Sequence, residues 1–168
     1  MTRIFKAKIF AATVIAVAAI KLSLNFTDSR KLESVKLKID RAGESFSDNC
    51  SRAPLKKYFN RNKIYSARIS DINNMTLLDG IENRLDILDL SHAKVSKETM
   101  LRVIKFRSIS VLILKDCDIE NDALMLLQEL TNIKHIDLSG SLIGDAERKS
   151  LKKLLPNVYF IWEIVDPP

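Results

Sequence analysis

The chain has 168 residues, 46% of them hydrophobic, with 27 Lys and Arg against 21 Asp and Glu, four Gly, four Pro and two Cys. This composition excludes a disordered chain, a collagen-like one and a disulfide-dense miniprotein, and leaves one small domain or a short stack of repeats behind a leader. The formal charge of +6 is largely leader: residues 1–21 hold four bases and no acid, so the remainder carries 23 bases and 21 acids.

Residues 1–27 are the first element in chain order. Arg3, Lys6 and Lys8 precede an unbroken apolar run from Ile9 to Ile20, closed by Lys21. At about 1.5 Å per residue that run covers roughly 18 Å, short of the roughly 30 Å of bilayer hydrocarbon. It reads as a signal peptide with small residues Ala16-Val17-Ala18 for cleavage. The alternatives are an uncleaved membrane anchor through residues 4–26 and a mitochondrial presequence. Three glycosylation sequons, at Asn25, Asn49 and Asn74, are too short to carry weight alone.

Residues 28–62 are expected to cap the remainder. Val35, Leu37 and Ile39 alternate, which predicts a strand, and residues 54–59 suit a short amphipathic helix. The basic surplus outside the leader falls in residues 22–68, which hold 11 bases and five acids; residues 69–168 hold 12 and 16. Lys56, Lys57, Arg61 and Lys63 surround Tyr58 and Phe59, a set that reads as an ordinary solvated face and alternatively as a contact for acidic headgroups or an acidic protein.

From residue 63 onward a period emerges. Its strongest copy runs from Ile109 through Leu112, Leu114 and Cys117 to Ile119. Leu85, Leu88, Leu90, Ala93 and Val95 stand two dozen positions earlier, and Ile133, Ile136, Leu138, Ser141 and Ile143 the same distance later. Weaker copies begin at Ile64 and at Val158, placing the last step at 25. The first four copies continue with residues spaced by three, apolar except for Arg148: Met75, Leu78 and Ile81; Met100, Val103 and Phe106; Leu124, Leu127 and Leu130; Arg148, Leu151 and Leu154. That spacing is helical, with Ser96, Asn121 and Asp145 placed as N-caps.

The strand–turn–helix period with Cys117 at the turn resembles the leucine-rich repeat family, of the ribonuclease-inhibitor-like or cysteine-containing subclass. The resemblance implies an α/β solenoid of about four to five β-turn-α units over residues 63–168, with a parallel sheet on its concave face and helices on its convex face. Leu88, Leu112 and Ile136 form one interior column and Leu90, Leu114 and Leu138 the next. Ala93 and Ser141 replace the expected Cys or Asn of the turn, Arg148 sits at an apolar helix position, and Glu163 falls where Leu is expected. Cys117 is expected buried, and a bond to Cys50 is not expected.

Between the interior residues of each strand, side chains point to the concave face. Asp86, Ile87, Asp89, Val111, Ile113, Lys134, His135, Asp137, Phe160 and Trp162 are therefore the expected partner-binding residues, an apolar centre ringed by charge. No cofactor, metal or small-molecule substrate is expected, because the two His and two Cys lack metal-ligand spacing and the phosphate-loop, dinucleotide and nucleophile-elbow motifs are missing. No basic stripe with stacking aromatics points to nucleic acid. His135, Asp137 and Ser139 share a strand face with neighbours about 6–7 Å apart, too far for a working triad, which makes a hydrolase a remote alternative. The expected role is a non-enzymatic protein–protein interaction module, exported (periplasmic, extracellular or anchored). The alternative is a mitochondrial inner-membrane assembly or coupling factor of the ATP synthase or respiratory-complex type.

Overall fold

The computed structural model describes residues 30–47 and 65–163; the leader, residues 54–59 and Cys50 lie outside them. Residues 30–41 form helix α1, where alternation predicts a strand. Val35 and Ile39, one helical turn apart, are buried with Leu32 against them, while Leu37 is 51% exposed. The apolar set that packs is therefore 32, 35 and 39, a helical face.

The elements that follow are β1 (Ser45–Ser47), β2 (Ser66–Arg68), a 3-10 segment (Ile72–Leu78), β3 (Ile87–Asp89), β4 (Lys94–Val95) and α2 (Lys97–Val103). Then come β5 (Val111–Ile113), β6 (Asp118–Ile119), α3 (Asn121–Met125) running into a 3-10 turn (Leu126–Glu129), β7 (His135–Asp137), α4 (Asp145–Leu154) and β8 (Tyr159–Ile161). Six strands form one sheet in the order β1-β2-β3-β5-β7-β8, parallel except for β1, which lies antiparallel to β2. The chain is thus mixed α/β with a mostly parallel sheet.

Ala67, Leu88, Leu112, Ile136 and Phe160 lie side by side across this sheet. The first four are buried in one cluster that also takes Met100 and Val103 from α2, Leu124 from α3, Leu127 from the 3-10 turn after it and Leu151 from α4. Helices and interior columns therefore share one face of the sheet. Each fully buried Leu or Ile contributes about 1.5–3 kcal/mol of transfer free energy.

Polar contacts recur at the apolar step or at twice that step. After β3, Asp89 accepts hydrogen bonds from the Ser91 N–H and hydroxyl; after β7, Asp137 accepts the same two from Ser139, at 3.0 and 2.7 Å. His92, Asp116 and Gly140 recur at the apolar step, and hold left-handed φ values of 66°, 53° and 73°. Asp and His tolerate that conformation better than branched residues, and Gly adopts it without steric penalty. A Cβ on Gly140 would also collide with the Asp116 carboxylate.

The turn after β2 departs from this pattern. Arg68 stands where Asp89 and Asp137 stand in the later strands, so no carboxylate of its own closes the turn. Glu44, next to Ser45 opposite Arg68, supplies one: its Oε2 accepts from the Ser70 N–H (2.7 Å) and hydroxyl (2.8 Å), and its Oε1 from the Asp71 N–H (2.9 Å) and the Asn74 side chain (3.0 Å). Burial raises the Glu44 pKa, but the bonds from Asn74, Asp71 and Ser70 outweigh it and the net direction is down from 4.5.

Among the expected caps, Ser96 accepts from the Thr99 N–H at 3.3 Å as anticipated. Asn121 and Asp145 are instead the first helical residues, one place inside, and the caps are Glu120 and Gly144 without a side-chain bond. The acids near those ends, Asp122, Asp145 and Glu147, still complement the positive helix terminus.

Leu114→Ala removes a fully buried column member and is expected to cost about 2–5 kcal/mol in urea denaturation. A loss well below that range contradicts the register. Glu44→Gln sets an amide N–H against backbone donors and is expected to cost about 1–3 kcal/mol. Because folding lowers the Glu44 pKa, its stabilisation is present above pH 4.5 and lost as pH falls below it. The variant therefore shows a flatter acid limb in a stability–pH profile.

Candidate partner-binding face

The face of the sheet opposite the core is built from alternate strand residues. One column is Ser66, Ile87, Val111, His135 and Tyr159; the other is Arg68, Asp89, Ile113, Asp137 and Ile161. Eight of the ten expected site residues lie on this face or at its edge. The exceptions are Phe160 and Trp162.

Their misplacement has one cause. His135 pairs with Tyr159, so the last step equals the two before it and is not longer by one. A slip of that size sends every side chain to the other face. Phe160 consequently continues the column of Ile136, and both Phe160 and Trp162 pack against the core, their rings stacked at 5.0 Å. Tyr159, 63% exposed, and Ile161 take their places on the outer face. With this register Trp162, not Glu163, succeeds Leu138, and the anomaly at Glu163 disappears. Arg148 is accommodated by its Nε donating to the Ile143 carbonyl at 3.1 Å and its guanidinium lying 5.3 Å from the Trp162 ring.

The expected apolar centre is also not an open patch. Ile87, Val111 and Ile113 are only 3%, 4% and 8% exposed, although none belongs to the core cluster. Three of the acids expected to ring them are committed to the backbone or to turns. Asp86 accepts from the Tyr65 N–H at 3.0 Å, Asp89 closes its turn and lies 3.8 Å from the Arg68 guanidinium, and Asp137 closes its own turn. Alternation with Ile113 keeps Asp89 and Asp137 from standing beside each other, which like charges disfavour. A small cavity of about 260 Å³ lies at the N-terminal half, lined by Ser45, Ser47, Arg68, Ile87 and Asp89 among others.

The face is accessible at both ends, with Arg68 exposed at the N-terminal side and a broader set at the C-terminal half. Lys134 and Tyr159 are exposed, and His135, Asp137 and Ile161 are partly so. His135 meets Tyr159 with ring centroids 5.6 Å apart. In the His135–Asp137–Ser139 trio the Ser139 hydroxyl donates to Asp137 and closes the turn after β7, which is not the Ser–His pairing that nucleophilic catalysis uses.

Cys117 is buried at the turn after β5, a free thiol whose Sγ donates to the Leu90 carbonyl at 3.1 Å. Ser141, one step on, repeats the bond: its hydroxyl donates to the Leu114 carbonyl at 2.7 Å and accepts from the Cys117 N–H at 2.9 Å. A hydroxyl thus replaces a thiol in the same donor role. Burial pushes the Cys117 thiol up to about 11. On the helix side, Ser108 and Asn132 form a further pair at the same step, donating to the Leu85 and Arg107 carbonyls. Sequence reasoning set Cys117 and Ser141 at equivalent turn positions but missed their bonds and the Ser108–Asn132 pair, although the spacing equals that of the leucines.

Among the described residues no group of three or more His, Cys, Asp or Glu is arranged to hold a metal, and no helix is long and apolar enough to cross a membrane. Comparison with protein families, with curated proteins and with solved structures gives no match for this chain.

In a Cys50→Ser background, iodoacetamide is expected to leave Cys117 unmodified under native conditions and to label it fully in denaturant, read by mass spectrometry. Since folding raises this pKa, the full benefit is present below about pH 9 and is lost as pH rises toward 11. Cys117→Ser is expected to flatten that alkaline decline.

Proposed function

We propose that this chain is a short leucine-rich repeat solenoid acting as a non-enzymatic protein–protein interaction module, exported or membrane-tethered through residues 4–26. It engages its partner through the C-terminal half of the outer sheet face. The observation that carries the reading is the division of labour among the polar residues. Asp86, Asp89 and Asp137 are consumed by turns and backbone, whereas Lys134 and Tyr159, with Ile161 beside them, are accessible on a rigid sheet. Tyrosine on a rigid support beside charge is the composition of an interface centre.

The solenoid reading rests on strands that recur in register at one fixed step and on helices that share one core with them. A unit of that size cannot bury its own apolar face, so stacking is what stabilises it.

A photo-crosslinking amino acid placed at His135 or Tyr159 is expected to capture one defined protein from membranes of the native source. The same group at Leu101 of α2 or Lys153 of α4 is expected to capture none. Capture from the helix positions and not from the sheet assigns binding to the wrong face.

A further inference from the structure

The sheet ends at β8, which pairs with β7 and with no other strand among the described residues. On its inner side the Tyr159 N–H donates to the Lys134 carbonyl and the Ile161 carbonyl accepts from the Leu138 N–H, both at 2.8 Å. Backbone groups alternate sides along a strand, so the N–H and C=O of Phe160 between them point to the open edge. Tyr159, Phe160 and Ile161 include neither the lysine nor the proline that commonly blunts such an edge.

Beside this edge runs a groove of about 470 Å³ between β8 and α4. Its floor is Phe160 and Trp162, both only partly buried, with Arg148 across the indole. Its wall is α4, from which Lys149 and Lys152 stand exposed. Three cations line the groove against two acids, Asp145 and Glu163. An added strand would lay one side chain over the aromatic floor and bring its neighbours within reach of the lysines.

We infer that the β8 edge accepts an extended peptide segment of another protein, added as a further strand, in which acidic residues bracket an apolar core. Backbone pairing supplies the alignment, the Phe160–Trp162 floor takes the apolar side chain, and Arg148, Lys149 and Lys152 select for negative charge. This surface adjoins the outer face proposed above, sharing Tyr159 and Ile161 of β8, but Phe160, Trp162, Arg148, Lys149 and Lys152 are not part of that face, and the test reads these residues.

Trp162 is the only tryptophan in the chain, so its emission reports on the groove. The probe is a capped peptide in which glutamates bracket four valine and isoleucine residues, titrated into the full chain. Three comparisons accompany it: the same peptide with lysine for glutamate, the same peptide N-methylated at alternate residues, and the Lys149→Glu/Lys152→Glu chain. Saturable change in Trp162 emission with the acidic peptide is expected, at least about tenfold weaker in each of the three comparisons. Lys149 and Lys152 are exposed, so that variant is expected to keep its melting temperature; the peptide comparisons test the inference on the unaltered chain in any case. Absence of saturable binding overturns the inference. So does equal binding by the lysine peptide or by the N-methylated one, which would leave charge or strand pairing without a role.

Discussion

Parallel strands that advance in fixed register bring equivalent positions of the chain side by side, and almost every feature of this molecule follows from that constraint. Once Leu88, Leu112 and Ile136 are neighbours, so are the residues at every other offset from them. A position that suits burial must suit it in each strand, and a backbone carbonyl left over in one turn needs a donor from the next. The apolar columns obey the first demand through the hydrophobic effect. The Cys117–Leu90 and Ser141–Leu114 bonds obey the second, because an unpaired buried carbonyl costs about 1–3 kcal/mol.

The outer face shows the same constraint from the other side. Charges there cannot be placed freely, since each side chain lies about 5 Å from its counterparts on the neighbouring strands. Arg68 beside Asp89, and Ile113 between Asp89 and Asp137, resolve this without juxtaposing like charges. The acids that alternation alone assigns to a partner thereby acquire a local duty. The side chains that stay exposed on this face or at its edge are Arg68, Lys134 and Tyr159.

Much of the parallel sheet was legible in the sequence because its signal is repeated: five registers of apolar residues constrain one another, and Ser96 marks a helix start by ordinary cap chemistry. Legibility failed where a segment offers no contrast. Val158 through Trp162 is apolar throughout, so alternation there cannot tell one face from the other, and a step longer by one fits the pattern equally well. In residues 30–41 the spacing of Val35, Leu37 and Ile39 satisfies both a strand and part of a helix, and only the burial of Leu32 in place of Leu37 distinguishes them. The role of Glu44 had no sequence signal, because its partners Ser70, Asp71 and Asn74 lie 26 to 30 residues away.

That carboxylate sets where the molecule tolerates a change of length. The turns after β3 and β7 carry their own Asp and Ser, so the carboxylate that closes each of them comes from the strand it follows. The turn after β2 is completed instead by a residue borrowed from beside the antiparallel strand, so a change of length between Glu44 and Ser70 must preserve their contact while the later turns are indifferent to it.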